Sequence, residues 1–185
     1  MTNDYVSIPV RSGRGGAADK AALLDAQATQ WAQTEAIQLA TLKIVRASGN
    51  DMRAAAARIC AFVAKLPYRR EEGEIFREPS KTLTLGGDCD DLALLCVAMM
   101  RAVGIPAKFV FAFNSAGAAY HVWIAFRSPA SSTVWIDFDP VKTSEVQWMT
   151  GNTDPPAPAP LESGLAWPSL LLGAAVGWLI GRARQ

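Results

Sequence analysis

The sequence predicts an α+β fold, with helices first and a short antiparallel sheet after them, and three observations carry that expectation. Between Ala18 and Leu66, apolar residues recur at helical spacing in an Ala-, Leu-, Gln- and Glu-rich background. From Asp88 to Val103 runs a helix of another kind, almost wholly apolar after Asp91 and so expected at the centre of the core. Between Ala107 and Asp139, three short alternating segments rich in β-branched and aromatic residues are separated by turn residues, which is the pattern of strands. Helices and strands that occupy separate runs of the chain indicate an α+β domain with the apolar helix packed on the sheet.

At 185 residues, 50% of them hydrophobic, the chain suffices for one domain with a sizeable core and appendages. Net charge is +1 and no basic stripe is interleaved with aromatics, so no nucleic-acid partner is expected. Cys60, Cys89 and Cys96 are an odd set without metal-type spacing, which points to a reducing compartment rather than a disulfide scaffold. Met1 to Gly16 is polar and glycine-rich, so no signal peptide is visible.

Residues 1–17 read as a flexible arm, with Arg11 and Arg14 solvated. Ala18 to Ala47 forms an amphipathic helix, continuous or interrupted, that ends at Ser48-Gly49. A second helix starts at an Asn50 or Asp51 cap and runs to about Leu66, where Pro67 stops it. Trp31 and Cys60 fall at helical spacing and are expected in the core. Tyr68 to Glu78 is a charged connection without a period, expected as a solvated surface loop. The helix from Asp88 is closed by Gly104 and Pro106, with Arg101 complementing the negative end of its dipole. Cys96 lies two turns past Cys89 and reads as a small buried apolar residue. The strands are Ala107 to Phe113, Tyr120 to Phe126 and Val134 to Asp139.

Chemistry gathers at Gly86-Gly87-Asp88-Cys89-Asp90-Asp91. A thiol at a helix N-terminus is drawn toward thiolate by the free N–H groups and the dipole. Asp88, Asp90 and Asp91 oppose that, so an ion pair with a histidine would have to supply much of the thiolate's stability. The three carboxylates are expected to cap the helix and complement its dipole rather than to hold a metal. The chain has one histidine, His121, which shares a strand face with Trp123. On the third strand, Asp137 and Asp139 share a face with Trp135, and either carboxylate is a candidate partner for the imidazole. Cysteine, histidine and aspartate, in that order on helix, strand and strand, fit a papain-like nucleophilic site.

Three blocks, Gly87-Asp88-Cys89-Asp90-Asp91, His121-Val122-Trp123 and Trp135-x-x-x-Asp139-Pro140, resemble the signature blocks of the transglutaminase-like superfamily. Pro79 to Leu85 and Gly104-Ile105-Pro106-Ala107 resemble it too, so that the likeness spans roughly Pro67 to Val141. It implies a papain/transglutaminase-like fold, with Cys89 as nucleophile, His121 as general base and acid, and Asp139 as the orienting carboxylate. Asp139 is preferred over Asp137 because the family's aspartate lies four residues after the tryptophan. Val141 stands where the family usually has a threonine. The implied reaction is attack on a peptide or protein amide through a thioacyl intermediate, released to water (protease or amidase) or to an amine (acyl transfer). Trp123 and Asp88, beside the catalytic pair, are expected to contact substrate. No cofactor and no metal are called for.

The catalytic domain is expected over residues 18–150. Residues 151–163 form a Pro-rich linker, and 164–185 an apolar helix. Gly164 to Gly181 carries no charge and, at about 18 residues, reaches the lower limit for spanning a bilayer. Trp167 and Trp178 lie near its ends, and Gly173, Gly177 and Gly181 line one side. A membrane anchor is favoured there over a helix that docks on a partner protein, which makes the chain cytoplasmic or membrane-associated. The rivals to an enzyme are a virion or membrane-associated structural protein, such as a bacteriophage component, that retains the fold, and a binding module using the same cleft.

Overall fold

The computed structural model describes residues 5–7, 13–70, 75–115 and 119–141. In chain order the elements are β1 (Tyr5–Ser7), α1 (Gly13–Trp31), α2 (Glu35–Val45), α3 (Met52–Val63) and β2 (Ile75–Arg77). There follow α4 (Pro79–Leu85), α5 (Cys89–Ala102), β3 (Ala107–Phe113), β4 (Ala119–Phe126) and β5 (Ile136–Phe138). Helices surround α5, and an antiparallel sheet in the order β3-β4-β5 packs on it, so the fold is α+β.

Burial places α5. Every residue from Asp90 to Met100 is buried, including Leu92, Leu94, Leu95, Met99 and Met100 at 1% exposure or less. Each such side chain contributes about 1.5–3 kcal/mol, against roughly 1 kcal/mol for a helix cap, so the core and not the cap decides where Cys89 stands. At the other end Arg101 does more than meet the dipole. It forms an ion pair with Asp25 and donates to Thr29 Oγ1 at 2.7 Å, which ties α1 alongside α5.

The helical stretch expected over Ala18 to Ala47 is two helices, parted at Ala32–Thr34, where Thr34 is extended (φ −76°, ψ 142°). Asp51 caps α3 by accepting from the N–H groups of Arg53 and Ala54. Within the expected flexible arm, Tyr5–Ser7 pairs antiparallel with Ile75–Arg77, and α1 already begins at Gly13. A strand of three residues is too short to show a period, so neither β1 nor β2 stands out in the sequence. The helix α4 also goes beyond expectation, although Pro79 at its start and Gly86 just past its end are ordinary helix punctuation.

The turn into α5 needs both its glycines. Gly86 has φ +72°, and a Cβ there would overlap the Pro67 carbonyl oxygen. A Cβ on Gly87 would overlap the Asp91 carboxylate. The Pro-rich linker at 151–163 and the apolar stretch at 164–185 lie outside the described residues. Among the described residues no helix is long and apolar enough to cross a membrane.

Candidate active site

Cys89 is the first residue of α5, and Asp88 is its N-cap, with Oδ1 accepting from the N–H groups of Asp90 (3.0 Å) and Asp91 (3.3 Å). The cap leaves out the N–H of Cys89. All three carboxylates around the cysteine are engaged within the protein. Asp90 pairs with Lys20 at 2.6 Å, while Asp91 accepts the Arg77 N–H at 2.6 Å and faces its guanidinium at 3.7 Å. Asp91 thereby fastens β2 to the first turn of the cysteine helix.

His121 lies on β4 with its Nε2 2.7 Å from Asp139 Oδ2. The carboxylate is itself held, since the Val141 N–H donates to Asp139 Oδ1 at 3.0 Å. With Nε2–H donating to Asp139, Nδ1 carries the lone pair that can take a proton. Trp123, two residues on and on the same face, stacks against the imidazole with ring centroids 6.0 Å apart and planes 26° from parallel. Its buried indole Nε1 makes no hydrogen bond among the described residues.

Register separates the two aspartates that alternation had put on one face. Ile124 pairs with Phe138 and Ala125 with Asp137, so Asp137 sits four residues along β4 from His121, roughly 13 Å at strand rise. Asp139 follows the last rung, where β5 leaves β4, and its carboxylate meets the ring there. Asp137 is buried at 3% exposure, away from the imidazole.

The thiol lies toward the same end of β4, near enough to the N–H of Val122, the residue after His121, for that dipole to favour the thiolate. Its side-chain hydrogen bond goes to Asp90 Oδ1 at 3.7 Å and not to the imidazole. Burial pushes the Cys89 thiol up, and the charges of Asp90 and Asp88 push it further, from 9.0 to about 12. The Val122 N–H and the Lys20 ammonium pull the other way without prevailing. The helix dipole therefore does not yield a resting thiolate. Desolvation and two carboxylates outweigh it, and the sulfur rests as neutral thiol. Cys60 and Cys96 are buried in the core as free thiols, and burial followed by contact with Cys96 raises Cys60 well above the ordinary range.

Three groups near the cysteine escaped the sequence. Tyr68 forms a parallel bridge with Gly87, and its phenol is raised by burial, then by coupling to the ionisation of Cys89 and by the charge of Asp88. Arg77 reaches Asp91 from a charged segment without a period, and nothing in the sequence marks it. Lys20 did leave a signal. It precedes Leu24 and Ala28 at intervals of four, and both of those are fully buried, so a lysine occupies the core stripe of α1.

Residues 40–140 match the family model of the transglutaminase-like superfamily, which is more than half of the chain. The periplasmic domain of TgpA from Pseudomonas aeruginosa, solved bound to ethylmercury, is similar at 21% identity and a TM-score of 0.34. That likeness covers 72% of this chain and 46% of the other, so the chain spans less than half the length of that structure. No curated protein matches the chain.

Proposed function

The chain belongs to the transglutaminase-like superfamily, which includes cysteine-based enzymes, and from that premise we propose that it is one of them, acting on amide carbonyls of a peptide or protein. The observation that supports this best is the His121–Asp139 contact of 2.7 Å, with the Val122 N–H next along β4 acting on the Cys89 sulfur. In the proposed mechanism Cys89 is the nucleophile, His121 the base and acid, and Asp139 the group that holds the imidazole and stabilises its protonated form. Because the resting sulfur is a neutral thiol, its proton passes to His121 Nδ1 as the sulfur attacks the carbonyl. The Cys89 N–H, outside the Asp88 cap, faces the developing oxyanion. Collapse of the tetrahedral species breaks the C–N bond, the leaving amine takes the proton from His121, and a thioester remains. Water or a second amine, deprotonated by His121, then attacks the thioester and restores the thiol. Trp123, against the imidazole, is the proposed substrate contact. Asp88, whose Oδ1 is committed to the cap, is proposed as a second substrate contact beside it.

Acylation by p-nitrophenyl acetate tests this reading. Acetyl should appear on Cys89 in the wild type, located by peptide mass spectrometry, and His121→Ala should slow it by roughly 10²–10⁴-fold. Acetylation of Cys89 no faster in the wild type than in His121→Ala would reject the enzyme. A second reading, a structural or binding protein that keeps the fold, draws on the thiol's bond to Asp90 in place of His121, and that outcome would favour it. Residues 164–181 carry the separate proposal of membrane attachment, tested by whether deleting them releases the protein from liposomes.

A further inference from the structure

Lys20 Nζ lies 2.6 Å from Asp90 Oδ2, and the two side chains are only 10% and 7% exposed. The other oxygen of that carboxylate, Oδ1, is 3.7 Å from Cys89 Sγ. One carboxylate thus joins a buried ammonium on α1 to the sulfur on α5. The ring of Phe76 stands 5.7 Å from Nζ and helps to shut out water. Moving an ammonium out of water is costly, and a lysine on a core stripe calls for a compensating partner. A plain tie between α1 and α5 already exists at Arg101 and Asp25, where the aspartate side chain is 48% exposed and far from any reactive group. The Lys20 pair differs in being buried and in sharing its acid with the thiol.

We propose that Lys20 is a positioning residue for the reaction: it holds Asp90 against the Cys89 thiol and offsets that carboxylate's charge at the sulfur, so that the proton can pass to His121. This rests on the reading of Cys89 as nucleophile. The charged and polar groups that act on the sulfur are Asp88 and Asp90 from α5, Lys20 from α1, the Val122 N–H from β4, and Tyr68 from the segment before β2. Asp91, next on α5, is turned to Arg77. Asp90 and Asp88 raise the thiol and Lys20 lowers it, so taking away the cation and taking away the anion have opposite effects at Cys89. Neither substitution removes a group that bonds directly to the imidazole.

The test is the rate of iodoacetamide alkylation at Cys89 as a function of pH, read by peptide mass spectrometry on the full chain. Buried Cys60 and Cys96 serve as internal controls, and acylation by p-nitrophenyl acetate is measured alongside. A charge within about 4–6 Å changes the thiolate fraction by about tenfold or more, so Lys20→Met should slow alkylation at fixed pH by that factor and Asp90→Asn should speed it by a similar one. Lys20→Arg, which keeps the charge, should stay within about threefold of the wild type. A merely structural tie would slow both charge-removing variants or neither. Shifts of the same sign, or no shift, in Lys20→Met and Asp90→Asn overturn the inference while wild-type acylation stands. Absence of wild-type acylation overturns the enzyme reading and the inference with it. Should Lys20→Met not fold by circular dichroism, Asp90→Asn decides, and alkylation no faster than wild type overturns the proposal.

Discussion

Replacing Arg77 by methionine should destabilise the protein by about 3–5 kcal/mol, the cost of breaking a buried ion pair from one side. The structure explains why the upper part of the usual mutational range applies. Asp91 is fully buried, Arg77 is 6% exposed, and the guanidinium that faces the carboxylate at 3.7 Å also donates to the Gly86 carbonyl at 2.6 Å. Arg77→Met therefore takes the cation from a buried carboxylate and leaves Gly86 O without that donor. The Arg77 backbone N–H still reaches Asp91 Oδ1 at 2.6 Å, so the strand contact itself survives. Adding Asp91→Asn removes the buried charge while keeping that acceptor, and the double variant should recover all but about 1 kcal/mol, the value of the lost hydrogen bond. In a urea titration followed by circular dichroism, the single variant should lose a large part of a total stability that for such domains is about 5–15 kcal/mol. Its melting temperature should fall by roughly 6–20 °C. A loss below about 1 kcal/mol in Arg77→Met, or a double variant as unstable as the single one, would refute the view that this pair holds the first turn of α5.

Asp139→Ala should lower acylation of Cys89 by roughly 10²–10⁴-fold, while Asp137→Asn changes it by less than about tenfold; the reverse ranking would transfer the orienting role to Asp137. The raised thiol also makes a prediction about alkaline stability. Between pH 9 and about 12 the unfolded chain has lost the Cys89 proton and the folded chain keeps it, so the folded state binds more protons and stability falls as pH rises. Cys89→Ala should flatten that fall without abolishing it, because Tyr68 and Cys60 are raised as well and act in the same direction. Urea midpoints measured across this window test it, and a Cys89→Ala curve parallel to the wild type would count against a buried neutral thiol.

Much of the architecture follows from pattern alone. The unbroken apolar run from Leu92 to Met100 admits only a buried helix, and alternation with aromatic and β-branched residues marks β3 and β4. Asp51 and Asp88 are legible as caps because a short carboxylate before an apolar-periodic run satisfies N–H groups that nothing else can reach. The candidate site is legible to the same degree, since Cys89, His121 and Asp139 lie in short blocks whose local structure the sequence announces. What escapes are elements too short for a period, β1 and β2, and contacts between segments far apart in the chain, such as Lys20 with Asp90 and Arg101 with Asp25 and Thr29.

From its own order of residues the chain determined that a cysteine would open a buried helix and that a histidine would lie on one strand with two aspartates on or just past the next, because capping, periodicity and alternation are local. Tertiary structure alone decided which aspartate meets the imidazole, since both share a face and only the pairing of Ile124 with Phe138 sets the distance. It also decided the resting state of the sulfur. A helix dipole is written into the sequence, but the desolvation and the neighbouring charges that overrule it arise only when α1, α5 and β4 close around Cys89.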